Sequence, residues 1–189
     1  MAKSENNEVM FGARGRVGNL VVFKNFGKDQ TVISRLRRKV KNPVYTDKQE
    51  NVKYKFKEAV IYAKGIVGDP DLLAFYQKFA KPGTSAYNLA LADFCKVPEI
   101  RLIDTDNYVG QIGDKIRVRA IDNFRVMEVK VSIHDASDTL LEAGLATLSA
   151  NSVDWFYETI VANGNLAGTK VTAEATDVPG NTISETVII

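Results

Sequence analysis

A single cysteine, Cys95, and a single histidine, His134, stand in 189 residues. One thiol excludes an intramolecular disulfide framework and any multi-cysteine zinc site, and one imidazole excludes sites that need two. No apolar run approaches the roughly 18 residues that a membrane-spanning helix needs. Gly and Pro, at 13 and 5 residues, are too ordinary for a collagen-like or wholly disordered chain. The opening stretch, Met1 to Glu8, lacks the basic-then-apolar layout of a secretory signal, so synthesis without a signal peptide and an intracellular start are expected. With 45% of residues hydrophobic and 25% charged, the chain can bury a core as one medium domain or two small ones.

These scarcities also thin out the enzymology. Cys95 sits beside Phe94 on a predicted helix and reads as a small buried hydrophobe. The sole imidazole belongs to the other half of the chain, so a Cys–His pair would have to bridge the two halves. Carboxylates are plentiful after Pro98, but none has a spacing that distinguishes catalysis from an acidic β surface. The expectation is a protein that is not an enzyme, with no cofactor, no resident metal and no small-molecule substrate.

What is present is charge, unevenly divided. Residues 1–98 carry 18 Lys and Arg against 9 Asp and Glu, and residues 99–189 carry 7 against 14. The halves are therefore +9 and −7 within a total of +2. A basic half attracts phosphate polymers, anionic surfaces or an acidic protein face, and one such face is the protein's own second half, within the chain or from another copy. The candidate anion- or partner-binding residues are Arg14, Arg16, Lys24, Lys28, Arg35, Arg37, Arg38, Lys39 and Lys41.

Periodicity changes at the same place. Runs over 17–25 and 31–37 read as a β-hairpin, with alternation placing Val32, Ser34 and Leu36 on one face and Thr31, Ile33, Arg35 and Arg37 on the other. Gly12, Gly15 and Gly18 precede it without the Gly-Lys-Ser/Thr ending of a phosphate loop. Thr46-Asp47-Lys48-Gln49 has capping-box spacing and starts a helix running to about Val67, with Val52, Phe56, Val60, Ala63 and Val67 on its apolar side. Asp69-Pro70 starts a second helix, and a third runs from Thr84 or Ser85 to about Lys96 on a stripe of Tyr87, Leu91 and Phe94. Five tyrosines interleave with the basic residues, and their helical spacing reads as packing rather than as base stacking.

After Pro98 come seven strand candidates, 99–104, 115–121, 125–134, 139–147, 153–162, 169–176 and 182–189, separated by turn residues as in a small sandwich. In 126–134, Val126, Glu128, Lys130, Ser132 and His134 oppose Met127, Val129, Val131 and Ile133, which puts His134 on the wet face. Asp104, Asp106, Asn107, Asp122, Asn123, Asp177 and Asn181 fall near strand ends, where a calcium ion could be held, although no EF-hand spacing is present and such residues are ordinary in turns.

Trp155-Phe156-Tyr157, followed by Val171 to Asp177, a turn and Gly180-Asn181, resembles the closing part of bacterial immunoglobulin-like repeats. The resemblance covers 99–189 and implies an all-β immunoglobulin-like sandwich, here without the disulfide. The N-terminal Gly15-Arg-Val-Gly18-Asn-Leu-Val-Val-Phe-Lys24, a second basic strand, Asn42-Pro43 and the Thr46 helix start are similar to an uncharacterised family of small proteins from Bacteroidota and their phages. That similarity implies a bacterial or phage-borne accessory protein and brings no catalytic residue.

The expected architecture is an α+β N-terminal module over 1–98, a β-hairpin plus about three short helices used for docking, followed by the sandwich over 99–189. The expected function is a structural or assembly protein, of the kind carried in a virion or other assembled particle, that contacts protein partners or copies of itself. The rival expectation is a nucleic-acid-binding protein that meets phosphates through the basic hairpin.

Overall fold

Short β-branched runs form strands here because their side chains pack on a pleated, half-buried surface, and the capped apolar stripes form helices. The architecture was established from a computed structural model that describes residues 2–5, 10, 12–25, 30–36 and 43–189, the side chains of 2–5 and 30 excepted. The fold is α+β, with three α-helices among the described residues, antiparallel sheets and a β-rich C-terminal part. It divides into two compact units, Met1–Thr46 and Asp47–Ile189. The three helices thus group with the strands that follow them, whereas the shift in composition falls later, at Pro98.

In the first unit, β1 (Ala2–Glu5), β2 (Gly15–Val17), β3 (Val21–Asn25) and β4 (Gln30–Arg35) form an antiparallel sheet in the order β1-β4-β3-β2. The expected hairpin is β3–β4. A tight turn at Gly18, whose φ of 58° suits a residue without Cβ, adds β2 on the other side.

The second unit opens with α1 (Asp47–Gly65), α2 (Pro70–Lys78) and α3 (Ala86–Cys95). Asp69 caps α2 by accepting from the Asp71 and Leu72 amides, both at 3.0 Å, and Ser85 caps α3. The buried faces differ from the expected stripes. On α1 the buried residues are Ala59 and Ala63, followed by Ile66, while Val52, Phe56 and Val67 are exposed. On α3 they are Ala86, Ala90 and Asp93, with Tyr87, Leu91 and Phe94 only half-buried. Alanines face the α1–α3 contact because small side chains let the two helices approach closely, which turns the larger residues to its flanks. Cys95 is exposed rather than buried, because it lies at the end of α3 beyond this contact.

The β-rich part holds two four-stranded antiparallel sheets. One is β5 (Glu99–Asp104), β6 (Lys115–Ile121), β10 (Asp154–Glu158) and β9 (Thr147–Leu148); the other is β12 (Thr182–Ile188), β11 (Lys170–Asp177), β7 (Val126–His134) and β8 (Leu140–Leu145). Ile116, Val118 and Trp155 from the first and Val129, Val131, Ile133, Val171 and Ala173 from the second belong to one buried cluster. Two expectations are corrected. The candidate strand 139–147 is split, since the chain leaves β8 at buried Ala146 and enters the other sheet as β9. The alternation of β7 breaks at its start: Thr176 pairs with Glu128 but Asp177 with Val126, so Met127 is bulged outward and exposed while Val126 is buried.

Arg119 on β6 and Asp154, directly opposite on β10, form a two-pronged ion pair with Nε–Oδ1 at 2.7 Å and Nη2–Oδ2 at 2.9 Å. The Arg119 bond, aided by Asn151, pulls the Asp154 carboxyl down to about 2. Removing the guanidinium in Arg119→Ala leaves a buried carboxylate with fewer donors and is expected to lower stability at neutral pH, an effect moderated because Arg119 is itself half in solvent. A depressed carboxyl stabilises the fold above its ordinary titration range and loses that contribution as pH falls toward 2. The variant should therefore lose less stability than the parent on acidification, as urea unfolding at neutral and strongly acidic pH will show.

Candidate functional site

Helices and sheets meet where α3 ends against the β6–β7 and β11–β12 turns. Asp93, fully buried on α3, accepts a hydrogen bond from the Tyr76 hydroxyl of α2 at 2.7 Å. Since Tyr76 donates there, the Tyr62 hydroxyl of α1, 3.0 Å away, donates to Tyr76. All three helices are thus tied to one carboxylate. The ligand atoms of Asp93, Asp122 and Asp177 lie within 4.8 Å of one another. With its amide nitrogen toward the acids, Asn123 donates to Asp93 Oδ1 at 3.2 Å and Asp122 Oδ1 at 2.8 Å. Asn181 donates its backbone N–H to Asp177 Oδ1 at 2.6 Å, and its side-chain amide reaches Asp177 Oδ2 at 2.8 Å and the carbonyls of Phe94 and Lys96 at 3.3 Å.

None of the ion pairs among the described residues involves these three acids. Burial, with the neighbouring charges of Asp122 and Asp177 adding to it, pushes Asp93 up to about 7 against the opposing Tyr76 bond. Burial likewise raises Asp177, offset in part by Asn181, and burial raises both Tyr76 and Tyr62. Calcium takes six to eight oxygens, whereas these carboxylates are already engaged by hydroxyl, amide and backbone donors. The arrangement is a hydrogen-bonded clamp between helices and sheets in which a proton relieves the crowding of charge.

Of the residues considered for calcium, the fold gathers Asp122, Asn123, Asp177 and Asn181 here and leaves Asp104 in an ion pair with Arg117 on β6. Asp93 was missed. The signal that could have found it is its spacing from Ala86 and Ala90, which places it on their side of α3.

Among the nine basic candidates, the side chains of Lys28, Arg37, Arg38, Lys39 and Lys41 lie outside the described residues. The other four do not share one surface. Arg14 is exposed before β2. Arg16 is held by its own turn, donating from Nε to the Gly18 carbonyl at 2.7 Å and from Nη2 to Asn19. Arg16 opposes Val22 and Lys24 opposes Val32, whereas Arg35 opposes Val21, so Arg35 lies on the opposite face of the sheet from Arg16 and Lys24.

A cavity of about 410 Å³ lies at the same end of the β-rich part, lined by Asp122, Phe124, Arg125, Leu148, Ser152 and Trp155 among others. It brings in neither Cys95 nor His134. His134 ends β7 at the edge remote from the clamp, so no Cys–His pair forms. No helix of the described residues is long and apolar enough to cross a membrane.

No protein-family model matches the chain, and no curated protein matches it. Among solved structures, the crystal structure of an engineered protein at 1.98 Å is similar over 53% of this chain, with 17% identity and a TM-score of 0.36. The match spans 25% of that protein's length, a likeness too slight to assign a fold or an activity.

Proposed function

We propose that this protein is a non-enzymatic structural or assembly protein, in which the basic Met1–Thr46 unit docks on an acidic face of another copy and the C-terminal strands form an immunoglobulin-like sandwich that supplies protein contacts. The observation that carries the reading is the surface of the first unit. Among its described side chains, Val32 is the buried apolar one, while Val17 and Leu20 stand 62% and 66% exposed beside basic residues. A four-stranded sheet whose described side chains include a single buried apolar one gains stability by laying a face on a partner. Its residues 1–46 hold 10 Lys and Arg against 3 Asp and Glu, so the favoured partner surface is acidic, and residues 99–189 carry the matching excess. A place in a virion or similar particle belongs to the same proposal.

Light scattering after size-exclusion chromatography of nuclease-treated protein tests it. The expected result is a mass that grows with concentration, shrinks at high salt and carries no nucleic-acid absorbance. A monomer that retains nucleic acid at low salt and sheds it at high salt would replace this reading with phosphate binding by the basic sheet.

A further inference from the structure

The end of the β-rich part remote from the helices is built from two loops, 105–114 and 159–169, that hold each other rigidly. Asp114 Oδ2 accepts from the Val109 and Gln111 amides, both at 2.8 Å, and Thr159 exchanges backbone bonds with Gly113 and Asp114. Asn163 N donates to the Gly110 carbonyl at 2.9 Å, and Gly110 has φ 86° with room for no Cβ, which would stand 2.2 Å from the Asn163 carbonyl oxygen. Glu142, buried on β8, reaches across to accept from Ile160 N at 2.8 Å and Val161 N at 3.2 Å. These bonds leave Val109, Ile112, Ile160 and Val161 outside, Ile112 and Ile160 at 68% and 67% exposure. Four exposed aliphatic side chains on loops whose backbone is already hydrogen-bonded offer a contact surface whose docking loses little further backbone entropy.

The same unit carries a second uncovered apolar surface. Val52 and Phe56 lie on the side of α1 that Ala59, Ala63 and Ile66 bury further along, so the helix overhangs its partners and leaves them 70% and 50% exposed. The two surfaces differ in charge. The two loops, 105–114 and 159–169, include two acidic residues and no basic one, whereas residues 48–57 include four lysines and one glutamate.

Resting on the assembly reading above, we propose that the aliphatic tip of one copy, centred on Ile112 and Ile160, seats on the overhanging Val52–Phe56 stripe of α1 in a second copy. Because the two surfaces differ, the contact is heterologous and propagates head to tail until a ring closes or a filament grows. Apolar contact supplies the attraction, and lysines facing aspartates set the orientation.

The test uses the full-length chain carrying Ile112→Asp or Phe56→Asp, with thermal melts to confirm that each exposed substitution leaves the fold intact; Ile160→Asp and Val52→Asp replace either one that melts early. Each variant alone should associate more weakly than the parent, with an apparent Kd raised about tenfold or more. Mixed in equal amounts they should regain one tip-to-stripe contact per pair and associate more tightly than either alone, since one keeps an intact stripe and the other an intact tip. Either variant alone assembling with the parent's Kd, or a mixture no tighter than the variants alone, overturns the tip-to-stripe contact while the assembly reading stands. A parent chain that never self-associates overturns both.

Discussion

Replacing Tyr76 by alanine is expected to destabilise the Asp47–Ile189 unit by about 4 kcal/mol, within the range for truncating a large buried aromatic. Tyr76 is fully buried, its ring lies edge-on to Phe124 of the β6–β7 turn at 5.5 Å, and its hydroxyl joins Tyr62 to Asp93. The alanine variant therefore opens a cavity where helices meet strands and also removes the donor from a buried acid. Tyr76→Phe separates the two effects. It keeps the ring, leaves Asp93 without that donor and is expected to cost about 1–2 kcal/mol. Urea unfolding of the three proteins measures both numbers, and an alanine variant within about 1 kcal/mol of the parent would show that this ring does not join the helices to the sheets.

The second large effect is on pH dependence. Asp93 is held near 7, well above an ordinary carboxyl, so between about pH 4 and pH 7 the folded protein binds a proton that the unfolded chain has released. Stability due to this group is fully present below the ordinary carboxyl range and falls as pH rises through that window. At about 1.4 kcal/mol per unit of displacement, the loss by pH 8 is about 2–4 kcal/mol. Asp177, also raised, acts in the same direction, whereas Asp104, Asp138 and Asp154 are lowered and titrate beneath the window. The groups that face Asp93 are Tyr76, Asn123, Asp122 and Asp177, with Tyr62 behind Tyr76. In Asp93→Asn the Tyr76 bond can persist without the charge, so the variant should exceed the parent in stability at pH 8 and lose that advantage near pH 4. Parallel stability profiles for the two proteins across this range would refute the assignment.

Much of the local structure was legible before folding. Asp69-Pro70 placed the start of α2 because a carboxylate cap followed by a fixed φ acts within one turn. The strand candidates 99–104 and 115–121 coincide with β5 and β6, where β-branched residues alternate with charged ones. Where a large apolar residue competed with a small one, reading the sequence failed: Leu91 and Phe94 were expected inside, but Ala90 and Asp93 are, because the closeness of α1 selects small side chains. Met127 was lost in the same way, since the bulge that turns it outward arises from pairing with β11, about fifty residues further on.

The candidate clamp was half legible. Asp122, Asn123, Asp177 and Asn181 declared themselves as turn residues at strand ends, but nothing local marks Asp93 as their partner. The exposed tip was less legible still, since Ile112 falls between strand candidates and Ile160 inside the candidate 153–162, whereas hydrogen bonds to Asp114, Asn163 and Glu142 fold both into loops.

By itself the amino-acid sequence determined the helices and most strands, the unequal charge of the two halves and the scarcity of thiol and imidazole. These depend on residue identity and on periodicities of two or 3.6 residues, which act within a few positions along the chain. Only the tertiary structure decided that three distant aspartates share one buried place, that Arg35 turns away from Arg16 and Lys24, and that two apolar surfaces at different ends of one unit remain uncovered. Those outcomes follow from register, bulges and the closeness of helix packing, which are settled between segments far apart in sequence and minimise the free energy of the whole unit rather than of any local stretch.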